Sequence, residues 1–215
     1  MKALKSLVAI MVFASSSVFA QTSDVVDTTS PYKGWQGVTV SYNQGTLSLY
    51  EGEIDLNGVS LGYQKTFSVS KKLPFYVETG VSINYANGSE SLFILDTDGA
   101  SYGTDLEYTT WGITVPVNLT YKFSFNENAH IAPYLGVYFR GNVLGEVELF
   151  DESYNLFDQD EVGDLKWDRI NYGLQIGAKF MYKKFNFGVN IASDLNEVSE
   201  DTEIKNLSIS VGLTF

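Results

Sequence analysis

Hydrophobic and polar residues alternate along most of this chain with a period of two residues. In the last ten residues, NLSISVGLTF, every second residue from Leu207 to Phe215 is apolar, and those between are small and polar or glycine. Side chains alternate across a strand with this period. The pattern predicts eight strands: 35–43, 58–69, 73–85, 109–124, 130–143, 168–182, 185–194 and 204–215. No helical periodicity follows residue 20, so the chain is predicted to be all-β.

The links between the predicted strands are alternately short and long. Segments 70–72, 125–129 and 183–184 are short, whereas 44–57, 86–108, 144–167 and 195–203 are long. This alternation is typical of an up-and-down meander whose short turns lie at one end and whose long links lie at the other. With eight strands, both termini lie at the short-turn end.

The polar face of the meander indicates which side is inside. A soluble barrel turns its apolar face inward and a membrane barrel turns it outward. Here the polar face carries many glycine, serine, threonine and asparagine residues and few charges. Glycine weakens a water-facing strand. The narrow interior of an eight-stranded barrel, by contrast, has room only for side chains that fit together. We therefore predict an eight-stranded antiparallel up-and-down transmembrane β-barrel whose apolar face contacts lipid.

Two local irregularities are predicted within this pattern. In the long link 44–57, the apolar residues Leu47 and Ile54 are out of phase with the adjoining strands. This phase change predicts bulges at Gly45 and Gly58, with the hairpin continuing between them. Pro116 lies in mid-strand without a donor N–H, which predicts a further bulge.

The first twenty residues have the features of a secretory signal peptide. A basic start, an apolar run from Leu7 to Ala14 and a small-residue cleavage site at Val18-Phe19-Ala20 follow in order. Residues 21–34 are polar and read as a periplasmic leader, and residues 35–215 form the predicted barrel domain. Removal of Lys2 and Lys5 with the signal changes the formal charge from −12 to −14.

Composition excludes several kinds of function. The chain has no cysteine, which excludes disulfides, thiol catalysis and cysteine-ligated metals. Strong net acidity argues against a nucleic-acid partner, because phosphate binding requires clustered lysine and arginine. The acidic residues are concentrated in the long links, above all between Glu146 and Asp168.

With its signal peptide, amphipathic strands, alternating links and terminal aromatic, the chain resembles the small porin-like outer-membrane β-barrel proteins of Gram-negative bacteria. The resemblance covers residues 35–215 and implies periplasmic short turns, external long links and a location in the cell outer membrane. The final SVGLTF resembles the signature by which such chains are recognised by the barrel-assembly machinery. It implies that Phe215 is the assembly signal, although Phe215 is also suited to an interfacial aromatic position.

Strand parity assigns a small set of charges to the lumen. The predicted lumen charge network comprises Glu78, Lys122, Arg140, Arg169 and Lys179. These charges are expected to form a paired plug that satisfies buried groups, because an unpaired charge would be costly there. The alternative is a hydrated ion path.

No catalytic, metal or cofactor site is predicted. His130, the sole histidine, directly follows a short turn and is expected to be a turn or interfacial residue. Some outer-membrane barrels are lipid-modifying enzymes, but the sequence offers no second histidine or cysteine for a nucleophile–base pair. The acidic stretches 95–101 and 157–164 lack the ligand spacing of a calcium-binding EF-hand.

The sequence therefore favours a monomeric barrel with a plugged lumen and acidic external loops, in a structural or surface-interaction role. The alternative is a narrow pore or carrier for small solutes. The expected partners are outer-membrane lipid and the assembly machinery, and no extracellular partner is identified.

Overall fold

The computed structural model describes residues 33–49, 52–95, 101–150, 152–163, 166–196 and 203–215. The predicted signal peptide, leader residues 21–32 and the central part of the acidic stretch 95–101 lie outside the described residues. Within the described residues, no helix is long and apolar enough to cross a membrane.

Strands make up most of the described chain. They are β1 (Gln36–Leu49), β2 (Gly52–Ser68), β3 (Phe75–Leu95), β4 (Ser101–Tyr121), β5 (Phe123–Ser124), β6 (Ala129–Leu149), β7 (Glu152–Asn155), β8 (Ile170–Tyr182), β9 (Phe185–Asp194) and β10 (Glu203–Thr214). One short helix, α1 (Gln159–Val162), follows β7.

Eight of these strands close into an antiparallel barrel. Neighbours run in the order β4, β3, β2, β1, β10, β9, β8, β6, and pairing of β4 with β6 closes the ring. The first and last described strands, β1 and β10, pair with each other, and the Phe215 amide donates to the Gln36 carbonyl at 2.8 Å. The two short strands β5 and β7 each pair with β6. The prediction of an eight-stranded up-and-down barrel is confirmed.

The apolar face of the barrel points outward, as predicted. Leu61, Leu174 and Ile209 are each more than half exposed on the outer surface, whereas Tyr76 and Asn171 on the opposite face are buried. Aromatic pairs lie near the ends of this outer band: Phe75 packs edge-on against Tyr121, and Tyr85 against Trp111. Such rings are typical of membrane interfaces.

Several strands are longer than the sequence pattern predicts. β3 and β4 each have 21 residues, about twice the nine to eleven that cross a membrane. Most of the predicted long links 44–57 and 86–108 are therefore paired strand, because hydrogen-bonded hairpins continue beyond the apolar band. We call this end of the barrel the hairpin end. The opposite end, with its short turns and Phe215, is the turn end.

The predicted bulges at Gly45 and Gly58 are wrong. β1 and β2 keep one register from Gln36↔Lys65 to Leu49↔Gly52. Leu47 and Ile54 are out of phase because they point into the barrel, where both are buried. The apolar side thus changes from the outer to the inner face without any change in the backbone.

The bulge predicted at Pro116 is also wrong. Pro116 pairs with Tyr138 in an unbroken register, and the irregularity on this strand pair lies instead between Trp111 and Gly112. On the other side, the Pro116 carbonyl accepts a hydrogen bond from the Thr79 hydroxyl at 2.8 Å. The missing proline N–H removes one donor and does not displace the strand.

Replacing Leu174 with arginine tests which face contacts lipid. Leu174 lies near the middle of β8 on the outer face, so a charge there is expected to destabilise the inserted barrel by about 2–4 kcal/mol. Asp55→Arg is the control, because Asp55 is exposed at the hairpin end and should change stability by less than about 0.5 kcal/mol. Urea unfolding in lipid vesicles measures both, and equal effects would contradict the assignment of the faces.

Candidate functional site

A buried ion pair spans the lumen near the turn end. The Lys179 Nζ atom on β8 lies 2.5 Å from Glu78 Oε2 on β3, and both side chains are almost fully buried. β4 and β6 lie between these two strands, so the pair connects walls that are three strand positions apart in the ring. Lys179 also donates to Gln64 Oε1 at 2.5 Å, and the Asn118 amide donates to Glu78 Oε1 at 3.1 Å. We call these four side chains the crossbar.

Polar contacts around the crossbar satisfy its buried groups. The Gln175 amide donates to Asn118 Oδ1 at 2.7 Å, and Lys179 Nζ lies 5.2 Å from the centre of the Tyr134 ring. Taking two charges out of water is costly unless such hydrogen bonds compensate them. The crossbar thus places matched charges and amides inside the lumen.

Glycines on β8 make room for two tyrosines that fill the lumen. A Cβ atom on Gly177 would meet the Tyr134 hydroxyl at 2.5 Å, and one on Gly173 would overlap the Tyr138 ring. Any larger residue at either position would displace a tyrosine from the interior. The glycine-rich polar face is thus explained by ring packing at these two positions.

A second ion pair lies farther along the lumen. Arg140 Nη2 on β6 lies 2.5 Å from Asp194 Oδ2 on β9, and the Tyr138 hydroxyl donates to the other oxygen of the same carboxylate. The Asp194 side chain is fully buried. Sequence analysis missed Asp194, although its parity with Asn186 and Asn190, on the face opposite Phe187 and Val189, was the available signal.

An apolar cluster fills the barrel at the hairpin end. Its buried members come from five barrel strands and from the segment between β6 and β8: Leu47, Ile54, Leu56, Tyr108, Val147, Leu156, Phe157, Trp167 and Ile204. Leu47, Ile54 and Leu156 are 1% exposed or less. Burial of such side chains is favourable by about 1.5–3 kcal/mol each. The lumen is therefore apolar at the hairpin end and polar toward the turn end.

Part of this cluster comes from a segment that folds across the mouth of the barrel. We call residues 152–163 and 166–169 the cover. The Leu156 amide donates to the Gly145 carbonyl at 2.9 Å, and the Trp167 amide donates to the Leu156 carbonyl at 2.7 Å. The Trp167 ring stacks on Tyr108 with centroids 6.2 Å apart.

A further hydrogen bond holds one end of the cover. The Asn142 amide side chain donates to the Asp168 carbonyl at 3.0 Å. At the other end, β7 pairs with β6 from Glu146↔Asn155 to Leu149↔Glu152. Within β7, the Tyr154 hydroxyl donates to Glu152 Oε2 at 2.7 Å, and this hydrogen bond raises the pKa of the exposed Tyr154 phenol above its ordinary value. Sequence analysis missed the cover, because its apolar residues follow no strand period.

A polar cavity of about 230 Å³ lies between the crossbar and the cover. Glu78 and Lys179 border it on one side, and Trp167 and Ile204 on the other. Its walls include the amides and hydroxyls of Ser41, Asn84, Thr114, Asn190 and Ser208. This volume is many times the roughly 10–15 Å³ that one buried water molecule needs.

The other residues of the predicted lumen network lie apart from the crossbar. Lys122 is half-buried near the turn end, with Nζ 5.2 Å from the Trp35 ring. Arg169 is exposed at the hairpin end, where its guanidinium lies 4.2 Å from the Phe157 ring and so contacts the cover. The structure thus places Glu78 and Lys179 in one pair and Arg140 in another.

His130 and Phe215 lie at the turn end. His130 Nδ1 is 2.9 Å from the Ser124 hydroxyl, a serine–histidine contact that sequence analysis did not identify. Both residues belong to the short pairing of β5 with β6, where their contact supports the turn. Phe215 is mostly exposed, and its backbone pairs with Gln36. Among the described residues, no group of three or more metal-binding side chains is present.

Comparison with known proteins identifies the class of barrel. The family model described as outer membrane protein beta-barrel domain matches residues 19–200. No curated protein matches the sequence. Among solved structures, Ail of Yersinia pestis is 14% identical, with 85% of this chain and 99% of that chain covered and a TM-score of 0.44. Neisserial surface protein A is also 14% identical, with coverage of 84% and 97% and a TM-score of 0.45.

A double-mutant cycle tests the crossbar. Glu78→Gln leaves the buried Lys179 without its counter-charge and is expected to cost about 3–5 kcal/mol of unfolding free energy. Lys179→Gln should cost a similar amount, and the double variant should lose clearly less than the sum, because neither charge then remains unpaired.

Urea unfolding of the four proteins in vesicles measures this coupling. The exposed Glu146→Gln is the control and should change stability by less than about 0.5 kcal/mol. Strictly additive losses would show that the two charges are separately hydrated.

Proposed function

Since the chain belongs to the outer membrane protein beta-barrel domain family, and is thus an integral protein of the cell outer membrane, we propose that it is a closed barrel that presents an acidic external surface. Its role is structural or in surface interaction, and its lumen does not conduct. The observation that carries this proposal is the presence of two successive obstructions, the crossbar and the apolar cluster under the cover.

The obstructions support closure for different physical reasons. An ion crossing the lumen would have to displace the buried Glu78–Lys179 pair and then cross an apolar region that offers no hydration. An ion that loses its hydration shell and gains no other ligands pays a free-energy cost of many kcal/mol. Each obstruction alone is therefore a barrier, and they lie at opposite ends of the polar cavity.

The external surface is proposed to be the hairpin end. Among the described residues, its exposed carboxylates are Asp55, Glu107, Glu146, Glu148, Glu152, Asp158, Asp160, Glu161 and Asp168, against the exposed cations Lys166, Arg169 and Lys205. Glu107 lies directly opposite Glu148 across β4 and β6. Like charges in this position are destabilising, which supports a role for the acidic surface beyond fold stability. Such a surface favours cationic partners.

Assembly and oligomeric state follow from the same proposal. Phe215 directly follows β10, the strand that closes the barrel, so it is the proposed residue for recognition by the assembly machinery. The barrel is proposed to be monomeric, because closure pairs both edges of the sheet. No catalytic role is proposed: the Ser124–His130 contact lies in an exposed turn rather than in a cleft.

A second candidate function is a narrow pore or a carrier for small uncharged solutes. The polar cavity favours it, because its amide and hydroxyl walls would accept such a solute. This function requires the cover to move and the crossbar to open.

Conductance in planar bilayers separates the two functions. The wild-type barrel is expected to give no steady channel, because the crossbar and the cluster are both intact. A variant with Leu156→Ala, Trp167→Ala and Glu78→Gln removes parts of both obstructions and should conduct. Phe187→Ala, on the lipid-facing surface, is the control and should stay silent. Steady ohmic channels from the purified wild-type monomer would support the pore and contradict closure.

A further inference from the structure

The two ends of the barrel carry opposite charge. At the hairpin end, exposed carboxylates outnumber cations. At the turn end, the charged side chains of the described residues outside the Glu78–Lys179 pair are almost all basic: Lys33, Lys65, Lys71, Lys72, Lys122, Lys183 and Lys184, against Glu127. A chain with a formal charge of −12 thus concentrates lysines at one rim.

Two of these lysines lie beside aromatic rings of the outer face at the turn end. Lys65 shares the outer face of β2 with Leu61, and its Nζ atom is 5.2 Å from the Phe67 ring. Lys183 Nζ is 5.5 Å from the outward-facing Tyr182 ring. Aromatic rings of this kind mark the membrane interface, and long lysine side chains extend from it toward polar headgroups.

Lys183 has a left-handed backbone conformation. Its φ angle is +54°, in the left-handed region that favours glycine or asparagine. Its backbone amide donates to the Asn128 carbonyl at 2.8 Å, a hydrogen bond that does not depend on the side chain.

The basic turns are distributed around the rim. Lys71 and Lys72 lie between β2 and β3, and Lys183 and Lys184 lie between β8 and β9. In the ring, β1 and β10 separate these turns on one side, and β4 and β6 separate them on the other. They thus face lipid on opposite sides of the barrel. A free anion would require cations converging on one cleft, whereas a surrounding leaflet matches cations spread around a rim.

We propose that the turn end binds the phosphate groups of anionic phospholipids in the leaflet that surrounds it. The lysines of the 69–74 and 183–184 turns, with Lys65, form the contact. Basic residues next to a membrane surface attract anionic lipids by about fivefold in affinity for each lysine that contacts the headgroup layer. Together with the acidic hairpin end, this contact favours one orientation of the barrel across an asymmetric membrane.

Lipid selectivity of the folded barrel tests the proposal. Electron paramagnetic resonance compares spin-labelled phosphatidylglycerol with spin-labelled phosphatidylcholine at the barrel surface in nanodiscs of phosphatidylcholine. The wild type is expected to prefer phosphatidylglycerol, and 0.5 M salt should reduce this preference (roughly 4 Å screening length). Lys183→Asn with Lys184→Gln should lower it severalfold, because asparagine tolerates the left-handed turn and lacks the charge.

Matched variants complete the test. Lys71→Gln with Lys72→Gln, on the opposite side of the rim, should also lower the preference, and provides a second measurement if the first variant folds poorly. Lys166→Gln with Lys205→Gln removes two cations from the hairpin end and should leave the preference unchanged. Heat-dependent mobility on gels verifies folding of each. The proposal would be overturned if the wild type showed no preference for phosphatidylglycerol, or if both turn-end variants kept the full preference. An equal loss of preference in the hairpin-end variant would also overturn it.

Discussion

Closure of the sheet between β1 and β10 is the constraint on which the rest of the structure depends. In hydrocarbon, an unpaired backbone N–H or C=O group costs several kcal/mol, so the edges of the sheet must pair with each other. The hydrogen bonds between Gln36 and Phe215 complete that pairing at the turn end. With eight strands, closure leaves an interior only as wide as its own side chains. Every lumen residue must then fill space, find a partner or contact water.

The lumen satisfies this constraint differently along its length. Near the turn end, where strands cross the membrane, it uses matched charges and the tyrosines that pack over Gly173 and Gly177. At the hairpin end, it uses apolar side chains and the cover. The two ends differ because their surroundings differ. At the hairpin end the outer face extends beyond the apolar band, so apolar side chains there are buried on the inner face instead. Charge follows the same axis, with lysines at one rim and carboxylates at the other.

The sequence pattern predicts the barrel and which face of its strands points outward, because both follow from the local alternation of apolar and polar residues. It also assigned Glu78 and Lys179 to the lumen. It did not determine that they pair, since they are 101 residues apart and their meeting depends on the stagger of strands across the ring. Asp194 was accessible to the same parity argument. The error at Gly45 and Gly58 arose from the assumption that apolar residues must face outward along the whole strand, which fails once the strand leaves the membrane.

The cover could not be predicted from the alternation of apolar and polar residues. Leu156 and Trp167 lie in a segment without regular alternation, and their burial depends on the position of Tyr108 and Gly145 on other strands. Lys122 and Arg169 had the parity of lumen residues but lie where strands end, so the structure gives them aromatic contacts instead. The alternation along a strand shows which face a residue lies on. What that residue contacts depends also on where the strand ends.

Thiol accessibility tests most directly whether the lumen is closed. The chain has no cysteine, so single cysteines can be introduced without background. Ser60→Cys faces the polar cavity between the crossbar and the cover, and Ser153→Cys is exposed on β7 as the control. With a charged, membrane-impermeant thiol reagent, closure predicts that Cys at 153 reacts at once and that Cys at 60 reacts at least about a hundredfold more slowly, as expected for access through openings of a few kcal/mol. Equal labelling rates at the two positions would contradict a closed lumen.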